Sequence, residues 1–220
     1  MVRALKGWKV LLVLAAVSHL AFQPASGAEP SRTFTPDAAE LFQWVERTRD
    51  NGQLPFMIID KRQTHLWVFD RSGRLQGDAP VLLGSARGDH SVPGIGDKKL
   101  SEIKSQERTT PAGRFVAEVG TNARGEDVVW VDYDGAVSMH RVLTTNSKER
   151  RVQRLATPTS DDNRVSYGCI NVPTAFFENV VKTTVRGGNS IVYVMPESLP
   201  LRNVFSQLAV AHLKSPDSQR

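Results

Sequence analysis

Apolar residues follow a helical spacing at the start of the chain and the two-residue spacing of strands from position 56 onward. A helix is predicted after Thr35 and Pro36, residue types that begin helices, and it ends before Asn51-Gly52. Short apolar runs separated by turn signals then predict strands over 56–60, 65–70, 75–84, 116–119, 128–133, 137–140 and 190–194. Because strand follows strand without intervening helices, we expect a mainly β fold with a largely antiparallel sheet and a few flanking helices.

Two further helices and two long loops complete the predicted pattern. One helix follows Pro173 and ends at Gly187-Gly188, and another covers 199–213 with an apolar face. The segments 85–109 and 144–164 show no period and carry many charges. Loops of this length are often lids or binding loops, although a charge-rich segment is also the usual form of solvated surface.

The first 28 residues have the composition of a secretory signal peptide. Basic residues precede an apolar run over 10–17, and small residues surround Ala28, where cleavage is expected. The apolar run is too short for a membrane span and no later stretch is long enough, so no transmembrane segment is expected after cleavage. We therefore expect an exported protein with a signal peptide 1–28, a helical segment 29–52, a domain 53–196, and a C-terminal helix and tail 197–220.

The net charge and the cysteine content bear on two possible functions, nucleic-acid binding and thiol chemistry. The leader holds three of the 28 basic residues and none of the 23 acidic ones, which leaves 25 basic against 23 acidic residues, a net charge of +2. This balance does not favour a nucleic-acid partner. The chain has a single cysteine, Cys169, so no internal disulfide is expected. A free thiol in an exported protein is a candidate for function.

The Gly168-Cys169 step is the first candidate for chemistry. It can bend sharply and let backbone N–H groups approach a carbonyl held above the sulfur. Such a thiol is a candidate nucleophile when an imidazole serves it, whereas the alternative is an inert buried cysteine. His140 ends a predicted strand, and the loop after it returns the chain to Cys169, so His140 is the candidate base. The other histidines after the leader are interpreted as structural, solvated or remote: His65, His90 and His212.

Three motifs together resemble the signature of the YkuD-type L,D-transpeptidases. They are Thr110-Pro111-Ala112-Gly113-Arg114-Phe115, Met139-His140 and Ser166-Tyr167-Gly168-Cys169-Ile170-Asn171. The resemblance covers roughly 55–196, most of the chain after the leader. It implies an L,D-transpeptidase-like β-sandwich catalytic domain in the periplasm of a bacterial cell envelope. It also implies that the cysteine attacks the amide between the diamino acid at position three of a peptidoglycan stem peptide and its terminal D-alanine, with no cofactor.

The resemblance also assigns roles to individual residues. Cys169 would be the nucleophile and His140 the general base. Residues implied to shape the pocket and the oxyanion site are Ser166, Gly168 and Asn171, with the backbone N–H groups of Gly168 and Cys169 as donors. Met139 and Arg141 are expected at the substrate rim beside the base. Tyr167 stands where the family usually has histidine, and a phenol with a pKa of about 10 is a poor base at neutral pH, although it could stack on or hydrogen-bond to substrate.

Peptidoglycan stem peptides are the implied donors, and an amine is the implied acceptor. The amine would belong to a second stem peptide, which gives a 3–3 cross-link, or to a protein lysine. Water as acceptor would make the protein an L,D-carboxypeptidase or a related hydrolase. A non-catalytic peptidoglycan-binding module with the same fold is a further alternative, motivated by Tyr167. No metal site is expected, because one cysteine and scattered His and Asp residues lack ligand spacing.

Overall fold

The structure, a computed structural model, describes residues 34–208 of the 220-residue chain. The predicted signal peptide 1–28 and the end of the predicted C-terminal helix, 209–213, therefore lie outside the described residues. None of the helices within 34–208 combines the length and apolarity that a membrane-spanning helix needs.

The predicted first helix is present as α1, Pro36–Thr48. The hydroxyl of Thr35 accepts a hydrogen bond from the N–H of Ala38 at 3.3 Å, which satisfies one of the free donors at the helix start. Arg49 ends the helix with a left-handed backbone, φ 57°. The buried face of α1 packs on the sheet through Ala38, Leu41, Trp44 and Val45.

Ten strands confirm the mainly β prediction. They are β1 Phe56–Asp60, β2 His65–Phe69, β3 Leu75–Pro80, β4 Leu83–Gly84, β5 Gly113–Thr121, β6 Asp127–Asp132, β7 Val137–Arg141, β8 Arg164–Ser166, β9 Ile170–Val172 and β10 Ser190–Val194. Eight of them form one sheet in the order β3-β2-β1-β10-β5-β6-β7-β9, while β4 pairs with β8. The sheet is largely antiparallel as expected, but β1–β10 and β7–β9 are parallel pairs.

The two edges of the eight-stranded sheet lie close together. Pro80 ends β3 at one edge, and two residues later Leu82 exchanges backbone hydrogen bonds of 2.9 Å with Asn171 of β9 at the other edge. The sheet is therefore strongly curved and wraps around one core, which is the packing of a sandwich. This first core includes Met57 from β1 and Met139 from β7. A second core, beneath α1, contains the opposite face of β1 and β2.

The segments between the strands are more regular than predicted. Segment 85–109, predicted to be irregular, contains three one-turn 3-10 helices, Ile95–Asp97, Leu100–Glu102 and Ser105–Glu107. Segment 144–164 contains a one-turn 3-10 helix, Ser147–Glu149, the short helix α2, Arg151–Leu155, and a further 3-10 turn, Asp161–Asn163. Single turns bury few apolar side chains, so no hydrophobic period reveals them in the sequence.

The helix predicted after Pro173 is present in three consecutive pieces. These are α3 Thr174–Phe176, the π-helical turn Phe177–Val181 and α4 Lys182–Thr184. Phe177 and Val181 pack in the first core, which holds this helix against the sheet next to β9. Within the described part of the predicted helix 199–213, α5 covers only Leu201–Val204, because the backbone leaves the helical region at Phe205, φ −111° and ψ 68°; Leu201 packs in the second core with α1.

Candidate functional site

The parallel pairing of β7 with β9 brings the predicted base next to the cysteine. Met139 lies opposite Ile170 and His140 lies opposite Asn171. Side chains alternate along a strand, so Ser138 and His140 share the face that points away from the core-facing Met139. Cys169 immediately precedes β9, and its sulfur lies 3.7 Å from the hydroxyl of Ser138.

The imidazole of His140 is oriented by the main chain. Its Nδ1 lies 2.7 Å from the carbonyl oxygen of Arg141. Because a carbonyl only accepts hydrogen bonds, Nδ1 carries the proton in the neutral ring, and Nε2 holds the free lone pair. A half-buried imidazole of this tautomer can take a proton from a thiol at Nε2.

The environment of Cys169 lowers the pKa of its thiol. Burial alone would raise this pKa, but a hydrogen bond and the charge of His140, together with hydrogen bonds from Ser138, outweigh burial. The sulfur is also 3.6 Å from the carbonyl oxygen of Ala136, a residue with a left-handed backbone at φ 50°. A lowered pKa increases the thiolate fraction at neutral pH, and the thiolate is the nucleophilic form.

Gly168 occupies a backbone conformation that requires glycine. Its φ is +130°, and a Cβ at this position would lie 3.0 Å from the carbonyl oxygen of Thr109. An L side chain would be strained there and would also press on that carbonyl. The chain can therefore turn into Cys169 in this way only with glycine at 168.

Ser166 and Asn171 hold the turn from within and do not line an open pocket. The hydroxyl of Ser166 donates to the carbonyl oxygen of Cys169 at 2.6 Å and accepts from the N–H of Gly168 at 3.1 Å. The amide of Asn171 donates to the same Cys169 carbonyl at 3.4 Å and accepts from Arg151 at 2.7 Å. The N–H of Gly168 is thus already used, which corrects its expected role as an oxyanion donor.

Thr110 sets the direction of the peptide between Gly168 and Cys169. Its hydroxyl donates to the carbonyl oxygen of Gly168 at 2.8 Å and accepts from the N–H of Gly84 at 2.9 Å. The C=O and the N–H of one trans peptide point in opposite directions. The N–H of Cys169 therefore points away from Thr110, and it has no hydrogen-bond acceptor within residues 34–208.

A buried ion pair supports Thr110 from behind. The ammonium of Lys61 donates to the carbonyl oxygen of Thr110 at 2.8 Å and lies 2.8 Å from a carboxylate oxygen of Asp89. Burial would raise the pKa of Asp89, but hydrogen bonds from Lys61 and from the N–H groups of Glu197 and Leu199 lower it to about 2. The base of segment 85–109 is thus tied both to the sheet and to the C-terminal part of the chain.

The remaining predicted site residues face elsewhere. Met139 is fully buried in the first core, which removes it from the substrate rim. Arg141 is on the same face of β7, pairs with Glu178 and Asp127, and its guanidinium carbon lies 4.9 Å from the ring centroid of Phe177. Met139 and Arg141 face away from the cysteine because successive side chains of β7 point to opposite faces, and both are neighbours of His140.

Tyr167 lies at the surface directly before the turn. Its side chain is 37% exposed, and the guanidinium carbon of Arg108 lies 3.9 Å from its ring centroid. One face of the ring is therefore occupied by a cation from segment 85–109. Arg108 was not identified as a site residue from the sequence.

The two other histidines that the structure describes, His65 and His90, do not contact the cysteine. His65 is buried and its Nε2 lies 2.7 Å from a carboxylate oxygen of Asp78, in keeping with its predicted structural role. His90 is exposed in its loop, and His212 lies outside the described residues. Across the part of the chain that the structure describes, no three His, Cys, Asp or Glu side chains form a cluster suited to a metal ion.

Besides Arg108, sequence reasoning missed two residues that contact the Gly168–Cys169 turn directly. Ser138 could have been found, because it is two residues before His140 in a predicted strand and so shares its face. Thr110 belongs to the first of the three motifs that resemble the family, but its contact with Gly168 joins positions 58 residues apart. No local pattern predicts such a pairing.

The chain is similar to known proteins in a comparison with solved structures. No family model matches the sequence, and no curated protein matches it. The catalytic domain of the Enterococcus faecium L,D-transpeptidase is 18% identical, with a TM-score of 0.36, over 64% of this chain and 96% of that one. An L,D-transpeptidase from Xylanimonas cellulosilytica is 14% identical, with a TM-score of 0.38, over 64% of this chain and 59% of that one.

A cell-shape protein is also among the similar structures. The helical cell shape determining protein Pgp2 from Campylobacter jejuni is 13% identical, with a TM-score of 0.41, over 66% of this chain and 49% of that one. The chain thus spans about half the length of Pgp2, and it covers the same share of Ldtfm, solved as its avibactam carbamoyl enzyme. Because identities and TM-scores are this low, function is inferred from the geometry of the site.

Proposed function

We propose that this chain is an L,D-transpeptidase that acts on peptidoglycan stem peptides through a thioester on Cys169. The observation that carries the proposal is the pair formed by Cys169 and His140. The pKa of the thiol is lowered by His140, and the Nδ1 of that imidazole is committed to a main-chain carbonyl. A nucleophile beside a base that is itself oriented by a third group is the arrangement that acyl transfer needs. The lowered pKa also supports a reactive thiol over an inert one.

In the acylation step, the amide bond of the donor is broken and a thioester with Cys169 is formed. Nε2 of His140 takes the thiol proton, and the sulfur of Cys169 attacks the carbonyl carbon of the amide between the diamino acid and the terminal D-alanine. The oxyanion that forms accepts a hydrogen bond from the N–H of Cys169, which the turn leaves free. When the intermediate collapses, the C–N bond breaks, the leaving amine takes the proton from His140, and the thioester remains.

The acceptor decides the final product. An amine from a second stem peptide or from a protein lysine attacks the thioester carbonyl, loses a proton to His140 and forms a new amide, while Cys169 regains its thiol. Water in the same position gives a shortened stem peptide, which is the L,D-carboxypeptidase reaction. Both outcomes use the same acyl-enzyme.

We also propose that the protein is exported to the periplasm. It is supported by the basic residues, the short apolar run and the small residues of positions 1–28. Peptidoglycan stem peptides are found outside the cytoplasmic membrane, so an exported thiol enzyme would meet this substrate there. Cell wall biogenesis and the maintenance of cell shape are the corresponding roles.

Muropeptide analysis tests the proposal. Sacculi or tetrapeptide muropeptides are incubated with the protein lacking residues 1–28, digested and separated, with Cys169→Ala as the matched control. New dimers with 3–3 cross-links indicate transfer to an amine, and tripeptide monomers alone indicate hydrolysis. If the wild type forms neither product yet binds peptidoglycan as well as Cys169→Ala does, the proposal is wrong and the chain is a binding module.

A further inference from the structure

Segment 85–109 borders the cysteine at two places. At Gly96 it packs against the hairpin between β6 and β7, where a Cβ would lie 2.2 Å from the carbonyl oxygen of Asp134. The same hairpin contains Ala136, whose carbonyl contacts the sulfur. At its other end the segment places Arg108 on the ring of Tyr167, two residues before the nucleophile. A substrate held at the sulfur therefore lies beside this segment.

The guanidinium of Arg108 is incompletely satisfied. Its Nη2 donates to the carbonyl oxygen of Ile103 at 3.3 Å. Within residues 34–208, Nε is buried without a hydrogen-bond partner, and Nη1 has no acceptor. The Tyr167 ring contacts the guanidinium but supplies no hydrogen-bond acceptor, so Nε and Nη1 stay without one. A buried donor without an acceptor costs free energy unless a ligand supplies one.

No carboxylate of the described chain neutralises Arg108. The adjacent Glu107 is engaged by Lys98 at 2.7 Å, and Arg108 forms no ion pair within residues 34–208. The other half-buried arginines of residues 34–208 are satisfied: Arg141, Arg151 and Arg164 each pair with a carboxylate, and Arg154 donates to the carbonyl oxygens of Glu149 and Asp162. Arg108 is thus a cation held against Tyr167, two residues before the nucleophile in the sequence, with capacity for an anion.

We propose that Arg108, held by Tyr167, binds the terminal carboxylate of the acyl donor, next to the amide that Cys169 attacks. This inference rests on the proposed function for the identity of the donor. Arginine binds carboxylates through two parallel hydrogen bonds, which fixes both position and orientation. Tyr167 and Cys169 are two residues apart, a separation of at most about 7 Å along the chain, and an arginine side chain reaches across that distance.

The inference has a consequence for specificity. The last residue of a peptide places its carboxylate one residue beyond the scissile carbonyl, about 4 Å away. An internal amide has no carboxylate at this place and would leave Arg108 unpaired. The protein therefore prefers donors in which the attacked amide joins the final residue. Tyr167 replaces a base with a platform for a cation, which gives a function to the one departure from the family motif.

A pair of small alkylating reagents tests Arg108 without any peptidoglycan activity. Iodoacetate carries a carboxylate next to its reactive carbon, and iodoacetamide is its neutral counterpart. We expect Arg108→Gln to lower the ratio of the iodoacetate rate to the iodoacetamide rate at Cys169 by about threefold or more, because an anion near the sulfur loses its partner. Tyr167→Leu should lower the ratio too, since it removes the platform.

Two controls keep this test interpretable. Arg124→Gln removes the same charge from the exposed turn between β5 and β6 and should leave the ratio within about twofold of wild type, because solvent and salt screen it. The iodoacetamide rate itself reports whether the thiol of each variant is intact. A ratio that is the same in wild type and Arg108→Gln overturns the role of Arg108.

Acyl donors test the specificity directly. A tetrapeptide stem with a free C-terminal carboxylate is compared with the same peptide ending in a carboxamide. Wild type should acylate with a kcat/KM about 10- to 100-fold higher for the free acid, and Arg108→Gln should lose this preference. Equal rates for both peptides in wild type overturn the carboxylate site while the proposed function stands. If neither peptide acylates wild type, the proposed function fails, and the alkylation ratio still decides the role of Arg108.

Discussion

On one side of the Gly168–Cys169 turn the sulfur meets two side chains of a single strand, whereas on the other side the turn is held by groups from distant parts of the chain. The reactive side consists of Ser138 and His140 on β7. The supporting side consists of three buried side chains, Thr110, Ser166 and Asn171, with the Lys61–Asp89 pair behind Thr110.

This difference between the two sides predicts which residues affect the reaction rate and which affect the stability of the fold. Ser138 and His140 take their positions from strand pairing that the fold forms anyway, so their removal should leave the fold intact. The supporting groups are buried and mutually hydrogen-bonded, and removing one leaves its partner unsatisfied. We therefore expect substitutions on the reactive side to change rates alone and substitutions on the supporting side to change both stability and rates.

The largest effect is expected for His140→Ala. Loss of the base should lower acylation by a tetrapeptide stem about 10²- to 10⁴-fold at neutral pH. The pH midpoint of alkylation by iodoacetamide should rise, because His140 lowers the pKa of Cys169 in wild type. Intact-protein mass spectrometry over time measures both reactions.

The control for His140→Ala is His90→Ala, which changes an exposed loop histidine. It should acylate at the wild-type rate. Thermal unfolding of both variants should be close to wild type, since His90 is exposed and His140 is only half-buried. Near-normal acylation of His140→Ala would show that another group serves as base and would remove His140 from the reactive side.

The next effect, on stability, is expected for Asp89→Asn. Removing this carboxylate leaves Lys61 buried with only Glu197, 3.6 Å away, as counter-charge, which should cost about 3 kcal/mol of unfolding free energy. The folded-state pKa of Asp89 is lowered to about 2, so its stabilising contribution is complete above about pH 4 and is lost as the pH falls toward 2. Urea unfolding at several pH values measures the difference.

Asp161→Asn is the matched control for the ion pair. Asp161 pairs with Arg87 at 3.2 Å, but its side chain is 85% exposed, so its loss should cost less than about 1 kcal/mol. Equal losses for the two variants would mean that the buried pair does not support the site. A difference that persists at pH 2 would contradict the assignment to the charge of Asp89.

A smaller effect on rate is expected for Thr110→Val. The variant keeps the shape but loses the hydroxyl that holds the carbonyl of Gly168, so the N–H of Cys169 is no longer fixed. Acylation should fall about 10- to 100-fold, because a preorganised oxyanion donor is lost. Alkylation by iodoacetamide forms no oxyanion and should stay within about twofold of wild type.

Thr110→Ser keeps the hydroxyl and serves as the matched control, with acylation close to wild type. The comparison of two reactions on one thiol separates orientation of the N–H from damage to the fold. If acylation and alkylation fall together in Thr110→Val, or if neither falls, the role of Thr110 in orienting the peptide is wrong.

The smallest effect is expected for Ser138→Ala. Its hydroxyl donates to the sulfur over 3.7 Å, and sulfur is a weak acceptor. Loss of this bond should raise the pKa of Cys169 slightly and reduce acylation by less than about tenfold. The pH profile of alkylation measures the change, and a profile that equals wild type would leave the reactive side to His140 alone.

The positions on the reactive side can be predicted from the sequence, whereas the contacts on the supporting side cannot. Strand periods and the order of elements sufficed to place His140 near Cys169. They also predicted the strands over 128–133 and 137–140 that flank the turn before β7, because strand periods are local. The use of the Gly168 N–H by Ser166, the stacking of Arg108 on Tyr167 and the hold of Thr110 on Gly168 depend on how a tight turn and long-range contacts are arranged. Single-sequence patterns carry no information about these distances.

Intact-protein mass spectrometry after mixing with a tetrapeptide stem tests the central claim most directly. In the absence of an acceptor, the wild type should gain the mass of the donor minus terminal D-alanine, and peptide mapping should locate it on Cys169. Cys169→Ala, which lacks the thiol, should gain nothing. A wild type that neither gains this mass nor releases D-alanine, under conditions in which iodoacetamide labels Cys169, would contradict the account.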